Sequence, residues 1–466
     1  MRLIERRVHS DLLVDLAEDL ATRWVPDVLA DVDLGEAVLD PRVAKEDVRL
    51  TDVPRVGGGV RRAPVLSGSA LSALRSAVQP LREVSDEVLD PAVCGYRLGA
   101  TGDVSYSEEY RRFRAFAEAL SEQSSWVVVA DVSNFFDSVS PHAVRLALRS
   151  DFESAIEPMV DLLLQFRRRG VAGLPAGYGD ARLIANAVLA PVDRALGVPF
   201  TRWIDDYRIF TSTRAEADRV VQSLRNALGQ LDMRLNDAKL EIMPTLEYRR
   251  TRHGVPLDSV YHPQDEPENA VSAALRSVFI SAVSTGDRRR LRFVLPRLAR
   301  ELDPSAIDYA FAALHANSID APRLVHYLSA FASDDAVAAR IRALASEPAL
   351  SDWVLMRIVP LLCRIDLDEG AFSAIRKRAT TTDSSLLWGL LIRTLAVHHH
   401  APTLNFLTRP EGVQDSRAAA AALMDLGSEV PGWMRTAASE ATIRALERRA
   451  GDGSGGAPLP KVESLL

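Results

Sequence analysis

The sequence predicts an α+β domain followed by an all-α domain, on two observations. Short β-branched and aromatic runs, typical of buried strands, occur at residues 126–130 and 200–210. After about residue 265 these runs stop, and short amphipathic helices follow one another between Asp-Pro and Ser-Glu-Pro breaks. A chain of 466 residues is long enough for two or three such domains.

The N-terminal part of the chain carries two predicted features. Residues 1–50 are expected to be helical, because leucines recur at helical spacing within residues 12–20. After them, a glycine turn at residues 57–59 joins two short segments and indicates an antiparallel hairpin that carries Arg61 and Arg62.

Acidic residues end the predicted strands. The valine-rich run at residues 126–130 lacks alternation, which indicates a strand covered on both faces, and Asp131 follows it directly. Asp205 and Asp206 occupy the tip of the hairpin predicted over residues 200–210. Carboxylates at neighbouring strand ends can converge into a site of hard oxygen ligands, which suits Mg²⁺ and phosphoryl transfer. Aspartates that only cap turns are the alternative that these residues leave open.

Helix and repeat signals complete the prediction of elements. Ser140 and Pro141 supply an N-cap and a first-turn proline for a helix. Trp353 and Trp388 lie 35 residues apart in similar apolar contexts, and a second pair of segments shares this spacing. The spacing favours stacked helix pairs, that is, a HEAT-like repeat domain.

Composition and charge narrow the classes of protein. Hydrophobic residues make up 47% and charged residues 26%, which excludes wholesale disorder. No uncharged apolar run reaches 18 residues and the N-terminus lacks a signal-peptide core, so we expect a cytoplasmic protein without a membrane partner. Two cysteines, Cys94 and Cys363, cannot build a disulfide framework. The net charge of −7 means that any nucleic-acid binding would use local basic patches, such as residues 288–290.

Four segments, taken in chain order, resemble the motifs of the reverse transcriptases. The first has an aspartate followed by two aromatic residues, the second a glycine-flanked turn, the third an Asp-Asp pair at a hairpin tip, and the fourth a lysine. They are residues 131–137 (DVSNFFD), 173–177 (GLPAG) with 183–186 (LIAN), 203–206 (WIDD) and 235–239 (LNDAK). Their common order argues against a chance match.

The resemblance implies a fold and a division of the chain. A right-hand-type fingers and palm polymerase domain would span residues 51–250, after the helical segment of residues 1–50. A connection at residues 251–285 would lead into the helical-repeat domain at residues 286–450 and a flexible tail at residues 451–466.

The resemblance also implies two-metal nucleotidyl transfer. Asp131, Val132, Asp205 and Asp206 would hold two Mg²⁺ ions, with Mn²⁺ as a substitute, one acting on a primer hydroxyl and one on the triphosphate. Lys239 would protonate the pyrophosphate as a general acid. An exposed lysine without a catalytic role is the alternative.

Six residues are expected to bind the incoming nucleotide. A large ring at the gate position would exclude a ribose 2′-hydroxyl and select dNTPs, guanidinium groups would bind the triphosphate, and a glycine-rich turn would let the backbone approach the nucleotide closely. They are Phe136 as the gate, Arg61 and Arg62 as alternatives at the triphosphate, and Gly173, Pro175 and Gly177 in the turn. A core aromatic at Phe136 and a plain loop at residues 173–177 are the alternatives.

Three departures from the common pattern affect the expected pocket. Ala176 stands where many relatives have glutamine, Ala181 and Arg182 replace Ser-Pro, and Trp203 replaces tyrosine. These departures leave open how strictly the enzyme follows a template, while the metal ligands are intact.

With the C-terminal helices, the motifs resemble the bacterial abortive-infection (AbiK-like), defence-associated reverse transcriptases. That resemblance implies antiphage defence, dNTP substrates, DNA synthesis that can be untemplated and primed by a protein hydroxyl, and a homo-oligomer. Copying a bound non-coding RNA is the alternative mechanism, so the nucleic-acid partner is either an RNA template or a DNA product. A helical-repeat scaffold with a vestigial palm is the alternative of another class.

Overall fold

The structure is a computed structural model that describes most residues from 48 to 398 and five isolated residues beyond them. The described residues are 48–54, 59–66, 68–95, 97–99, 102–103, 106–149, 153–252 and 268–398, with Leu407, Val413, Ala419, Ala422 and Leu423. The predictions for residues 1–47 and for the tail at residues 451–466 lie outside this set.

The chain divides into two compact units, and the first contains residues 69–255. The strands in the described residues are β1 (Val48–Pro54), β2 (Val60–Leu66), β3 (Val93–Cys94), β4 (Leu98–Gly99), β5 (Gly102–Asp103), β6 (Trp126–Asp131), β7 (Phe200–Trp203), β8 (Asp206–Thr211) and β9 (Glu241–Pro244). The helices up to residue 255 are α1 (Gly68–Val88), α2 (Tyr106–Glu122), α3 (Phe135–Ser138), α4 (Pro141–Leu148), α5 (Glu153–Arg168), α6 (Gly179–Leu196), α7 (Arg214–Gln230) and α8 (Thr245–Arg252), with a 3₁₀ turn at Asp237–Lys239.

The first unit is built on a five-stranded sheet with the strand order β3-β7-β8-β6-β9. Neighbouring strands are antiparallel except β3 and β7, which are parallel. Strand β6 pairs with β8 on one side and β9 on the other, and residues 127–130 are buried, so its valine run has no solvent-facing position. The strand predicted at residues 126–130 and the hairpin predicted at residues 200–210 are confirmed.

Different helices cover the two faces of this sheet. One cluster joins α2 and α8 to the sheet; its buried members are Ala117, Val127, Val129, Phe210 and Tyr248. Successive side chains of a strand point to opposite faces, and Tyr207 accordingly reaches α6, where its hydroxyl donates to Asp193 at 2.8 Å. Asp131 is separated by an even number of residues from Val127 and Val129 in β6, and Asp206 likewise from Phe210 in β8. Both aspartates therefore lie on the face of the sheet that α2 covers.

Local signals define the helices that support the site. The helix predicted from Ser140 and Pro141 is α4, where Ser140 Oγ accepts from the Ala143 N–H at 3.0 Å. Helix α6 is buried throughout residues 181–190. It ends at Gly197, whose φ of 65° closes the helix in the left-handed conformation.

The second unit combines β1 and β2, which pair in a two-stranded sheet, with the C-terminal helices. These helices are α9 (Glu268–Thr285), α10 (Arg288–Arg300), α11 (Ile307–His315), α12 (Ala321–Ser329), α13 (Asp335–Ala345), α14 (Asp352–Leu362), α15 (Glu369–Thr381) and α16 (Ser385–Val397). Helices α10, α12, α14 and α16 pack one on the next, and each odd-numbered helix packs on the even-numbered helix that follows it. Trp353 and Trp388 are both buried, in keeping with their matching sequence positions.

Two stretches have a different secondary structure from the one expected. Residues 48–50, expected at the end of a helical segment, lie in β1, because this strand pairs with β2. The second half of the connection expected at residues 251–285 is the helix α9, which packs on α10. Cys94 and Cys363 are buried free thiols. Every helix in the described residues is too short or too polar to span a lipid bilayer.

Candidate active site

The carboxylates singled out in the sequence meet where β6 ends and β8 begins. Asp131 and Asp206 are directly opposed across the two antiparallel strands, which places their Cβ atoms about 5 Å apart on one face. The Val132 N–H donates to the Asp205 carbonyl at 3.3 Å and ties the segment after β6 to the turn before β8. The structure therefore brings together all four residues expected to hold metal ions.

The turn between β7 and β8 has a strained backbone. Ile204 has a φ of 56°, in the left-handed region that β-branched residues rarely adopt. Arg202 donates from Nη1 to the Ile204 carbonyl at 2.5 Å and so holds the peptide that leads into Asp205. The position of the Asp205 carboxylate thus depends on a guanidinium two residues before the turn.

A buried polar network fixes the position of Arg202 itself. Arg202 is fully buried and forms a two-point ion pair with Asp193 of α6, at 2.9 Å from Nε and 2.6 Å from Nη2. Asn186 of α6 accepts from Arg202 at 3.0 Å and donates to the Gly95 carbonyl at 2.7 Å. Tyr207 donates to the same Asp193 carboxylate at 2.8 Å. The network anchors the β7–β8 hairpin to α6 and to the segment after β3.

Mutual repulsion and burial perturb the central carboxylate. The pKa of Asp205 is raised to about 7, mainly by burial and then by the negative charge of Asp131. Asp206 adds to the increase and Lys239 opposes it. Three carboxylates at one partly buried point fit a divalent cation, because hard oxygen ligands and negative charge both favour Mg²⁺.

Neighbouring donors bind the other two carboxylates. Lys239, whose side chain is 62% exposed, donates to Asp131 Oδ1 at 2.9 Å, and Asn236 donates to Asp131 Oδ2 at 3.1 Å. Arg208 donates to both oxygens of Asp206, at 2.5 and 3.0 Å. Within the described ranges, no three His, Cys, Asp or Glu side chains are arranged to hold a metal ion as they stand. Asp131 and Asp206 are directed instead to these partners.

The glycine-rich turn packs directly against α3. The Leu174 N–H donates to the Phe136 carbonyl at 2.8 Å. A Cβ at Gly173 would lie 2.2 Å from that carbonyl oxygen, so only glycine allows this approach. Pro175 is buried, and Gly177 has a φ of 115°, which glycine adopts without strain. The structure thus places the glycine-rich turn against α3, the helix that follows β6 in the chain.

We expect Gly173→Ala to lower the free energy of unfolding by about 1–3 kcal/mol, because either the turn or α3 must shift to admit the new methyl group. Thermal or urea unfolding measures the change. Gly229→Ala in α7 is the matched control: nothing lies within 4 Å of a Cβ there, and alanine favours a helix by roughly 0.5–1 kcal/mol over glycine. Equal stability of the two variants would contradict the close approach.

The two aromatic residues after Asn134 differ in burial. Phe135 is 2% exposed and belongs to the core, whereas Phe136 is half-buried. Their ring centroids lie 5.7 Å apart in an edge-to-face arrangement. Phe136 therefore remains partly accessible, five residues after Asp131 in the chain, and its role as a gate stays a prediction.

The arginines expected at the triphosphate lie on β2, in the second unit. Arg62 forms an ion pair with Asp52 at 3.7 Å, and both side chains are largely exposed. The assignment of Arg61 or Arg62 to the triphosphate stays a prediction.

The departures from the common motif pattern occupy packed positions. Trp203 lies edge-on to Tyr110 of α2, with ring centroids 5.3 Å apart. Ala176, Ala181 and Arg182 are buried. Contact between these residues and a nucleotide stays a prediction.

Four supporting residues have no role in the sequence analysis: Asp193, Arg202, Arg208 and Asn236. For two of them the sequence carries a signal, namely a charged residue within an apolar run. Arg202 interrupts a predicted buried strand, and Asp193 interrupts an apolar helical run. Charged residues in such positions are almost never fully buried unless they are paired. Their partners could not be read from the sequence, since the two residues lie on different elements.

Comparison with protein families matches residues 58–255 to the family described as reverse transcriptase (RNA-dependent DNA polymerase). The match contains all four motif segments and covers less than half of the chain. Comparison with curated proteins finds no match. The matched domain indicates an RNA-directed DNA polymerase, which is a nucleotidyltransferase.

Proposed function

We propose, from the premise that residues 58–255 form a reverse transcriptase domain, that the protein is a Mg²⁺-dependent DNA polymerase that extends a hydroxyl group with dNTPs. The observation that carries the proposal is the convergence of Asp131, Asp205 and Asp206 at one point of the sheet. A scaffold protein has no need of such a cluster, because the repulsion between its charges opposes folding.

The residues of the site would divide the reaction between them. Two Mg²⁺ ions, or Mn²⁺ in their place, would be held by Asp131, Val132, Asp205 and Asp206. When bound, the ions lower the pKa of the attacking hydroxyl and neutralise charge on the triphosphate. Lys239, already 2.9 Å from Asp131, would give its proton to the pyrophosphate as the bond to the α-phosphorus breaks. Arg61 or Arg62 would bind the triphosphate, and the turn that contains Gly173, Pro175 and Gly177 would face the nucleotide.

Phe136→Ala is expected to admit ribonucleotides, because the half-buried ring that would collide with a 2′-hydroxyl is removed. The ratio of dNTP to NTP incorporation should fall by about tenfold or more. Phe116→Ala, which removes a half-buried ring from α2, is the matched control and should keep the wild-type ratio. Unchanged selectivity in Phe136→Ala would remove the gate assignment.

The wider role that we propose is antiphage defence in the bacterial cytoplasm, through untemplated DNA synthesis primed by a protein hydroxyl in a homo-oligomer. The support is the resemblance of the motifs, together with successive C-terminal helices that we propose to be HEAT-like repeats after a right-hand-type palm. Copying a bound non-coding RNA is the second candidate mechanism, and the family's RNA-directed activity favours it. Protein priming leaves the new DNA covalently attached to the protein, whereas copying a bound RNA requires that RNA as a template.

The decisive experiment incubates purified wild type, Asp205→Ala and Asp218→Ala with Mg²⁺ and labelled dNTPs or NTPs, followed by nuclease or protease treatment and denaturing electrophoresis. Asp218 is the matched control, because it is an exposed aspartate paired with Arg214 on α7. Label should appear with dNTPs in wild type and in Asp218→Ala, and not in Asp205→Ala.

The fate of the label separates the mechanisms. Label that shifts after protease treatment would establish protein priming. Label released as free DNA, and lost when the enzyme is treated beforehand with RNase, would establish a copied RNA. Incorporation that is equal in Asp205→Ala and wild type would overturn the proposal.

A further inference from the structure

The C-terminal helices separate their charges into two sets. Helices α10, α12, α14 and α16 pack consecutively, and we call them the even-helix row. Together these four helices contain nine arginines and one acidic residue, Asp352. Helices α9, α11, α13 and α15 contain six basic and four acidic residues. Six of the nine arginines lie on α10, and Arg357 of α14 and Arg393 of α16 are buried. In a chain with a net charge of −7, the exposed positive charge of this row therefore lies on α10 and α12.

The density of positive charge is highest where α10 meets α12. Arg300 of α10 and Arg323 of α12 are exposed, and no side-chain hydrogen bond or ion pair joins either guanidinium group to another described residue. The nearby acid, Asp320, already binds Arg288 at 2.6 Å and Arg292 at 2.8 Å. Asp320 also attracts Arg323, but one carboxylate cannot balance the charges of three guanidinium groups.

The positive charges of α10 and α12 repel one another. The pKa of Arg323 is lowered, first because its guanidinium is partly desolvated and then by the charge of Arg292. The pKa of His326 is lowered in the same way, by burial and then by Arg323 and Arg300. Nearby like charges disfavour the charged form of each group, and an anion placed between them favours it.

The chemistry of the cluster indicates its ligand. A guanidinium group binds phosphate oxygens through two parallel hydrogen bonds, and arginine is preferred wherever a phosphate backbone is recognised. The exposed arginines of α10 and α12 offer several contacts on two packed helices, and a polymer with a phosphate at every unit can use several of them at once. A single small anion would use one contact only.

We propose that the even-helix row, around Arg300 and Arg323, binds the phosphate backbone of a polynucleotide outside the polymerase domain. The choice of a polynucleotide over another polyanion rests on the proposed polymerase function. The charge separation between the helices does not depend on that function.

Binding of a labelled single-stranded oligonucleotide of about 25 nucleotides, as DNA and as RNA, tests the proposal by fluorescence anisotropy without dNTPs. The full-length protein is compared with the variant Arg300→Ala/Arg323→Ala between about 50 and about 200 mM salt. The matched control is Arg376→Ala/Lys377→Ala, which removes two exposed cations from α15. The first variant should bind about tenfold more weakly, with the slope of log K against log salt reduced by about 1.4. The control should bind as wild type does.

Three outcomes would overturn the proposal. One is an unchanged affinity and salt slope in Arg300→Ala/Arg323→Ala with normal circular dichroism. Another is an equal loss in the α15 control, which would show a general effect of charge. The last is competition by polyglutamate as effective as that by the oligonucleotide, which would assign the row to acidic proteins. Asp205→Ala should bind as wild type does, so a failure of binding is distinguishable from a failure of catalysis.

Discussion

Asp205→Asn is expected to lower nucleotide incorporation by about a thousandfold or more and, at the same time, to stabilise the metal-free protein at pH 8. Activity is lost because metal-bound charge stabilisation supplies several kcal/mol to the transition state. Stability is gained because burial and the charge of Asp131 raise the pKa of Asp205 to about 7, so its ionised form is unfavourable in the fold. Asparagine has nearly the same size and carries no charge.

The gain in stability has a defined pH dependence. The folded-state pKa of about 7 lies above the ordinary value of 3.8, so the wild type loses stability as pH rises from about 4 to about 7. The asparagine variant lacks this loss, and its advantage is therefore absent near pH 4 and complete above pH 7. Thermal unfolding in a chelator measures it.

Magnesium supplies the complementary readout. A cation that binds only the folded state stabilises it by an amount that grows with the logarithm of the cation concentration above its Kd, so added Mg²⁺ should raise the Tm of wild type and have little effect on Asp205→Asn. The control Asp218→Asn, at an exposed position, should behave as wild type in activity and in both unfolding experiments. Full activity of Asp205→Asn, or a Tm at pH 8 equal to that of wild type, would contradict the assignment.

Asp193→Ala is expected to lower the free energy of unfolding by about 3–5 kcal/mol. The substitution leaves the Arg202 guanidinium fully buried without its carboxylate, and the Tyr207 hydroxyl loses its acceptor. Asp218→Ala breaks an ion pair between side chains that are each more than half exposed, and it should cost only about 0.2–1 kcal/mol. Urea unfolding of the two variants measures the contrast.

A double variant separates stability from positioning. Asp193→Ala/Arg202→Met should recover much of the stability, because replacing both members of a buried pair by apolar groups is often close to neutral. Incorporation should remain low, since the Ile204 carbonyl has lost the donor that holds the strained turn before Asp205. A stable double variant with wild-type incorporation would show that the hairpin does not need this network.

The strands and the carboxylates could be predicted because their signals are local. A valine run that ends in Asp131 and an aromatic hairpin with two aspartates at its tip can each be read within ten residues, and both form as predicted. The helix at Ser140 has its own cap for the same reason. Residues 48–50 were predicted wrongly, because pairing with β2 outweighs the helical periodicity of the residues before them.

The supporting network could not be predicted, because its members lie far apart in sequence. Asn186, Asp193 and Arg202 come from a helix and a strand, and the Gly95 carbonyl comes from a segment about a hundred residues earlier. Which buried charge pairs with which depends on how α6 packs against the sheet. Packing of this kind is a property of side-chain volumes on several elements at once.

The sequence by itself determined which chemistry this chain can perform, because residue types and their spacing can be read without knowledge of the packing. They are the acidic residues at strand ends, an aromatic residue after them and a lysine further on. Only the tertiary structure decided that Asp131 faces Asp206, that Arg202 holds the turn before Asp205, and that the arginine-bearing helices α10 and α12 pack on each other. The physical reason is that proximity between distant residues is set by long-range packing, whereas residue type and local spacing are set by the chain alone.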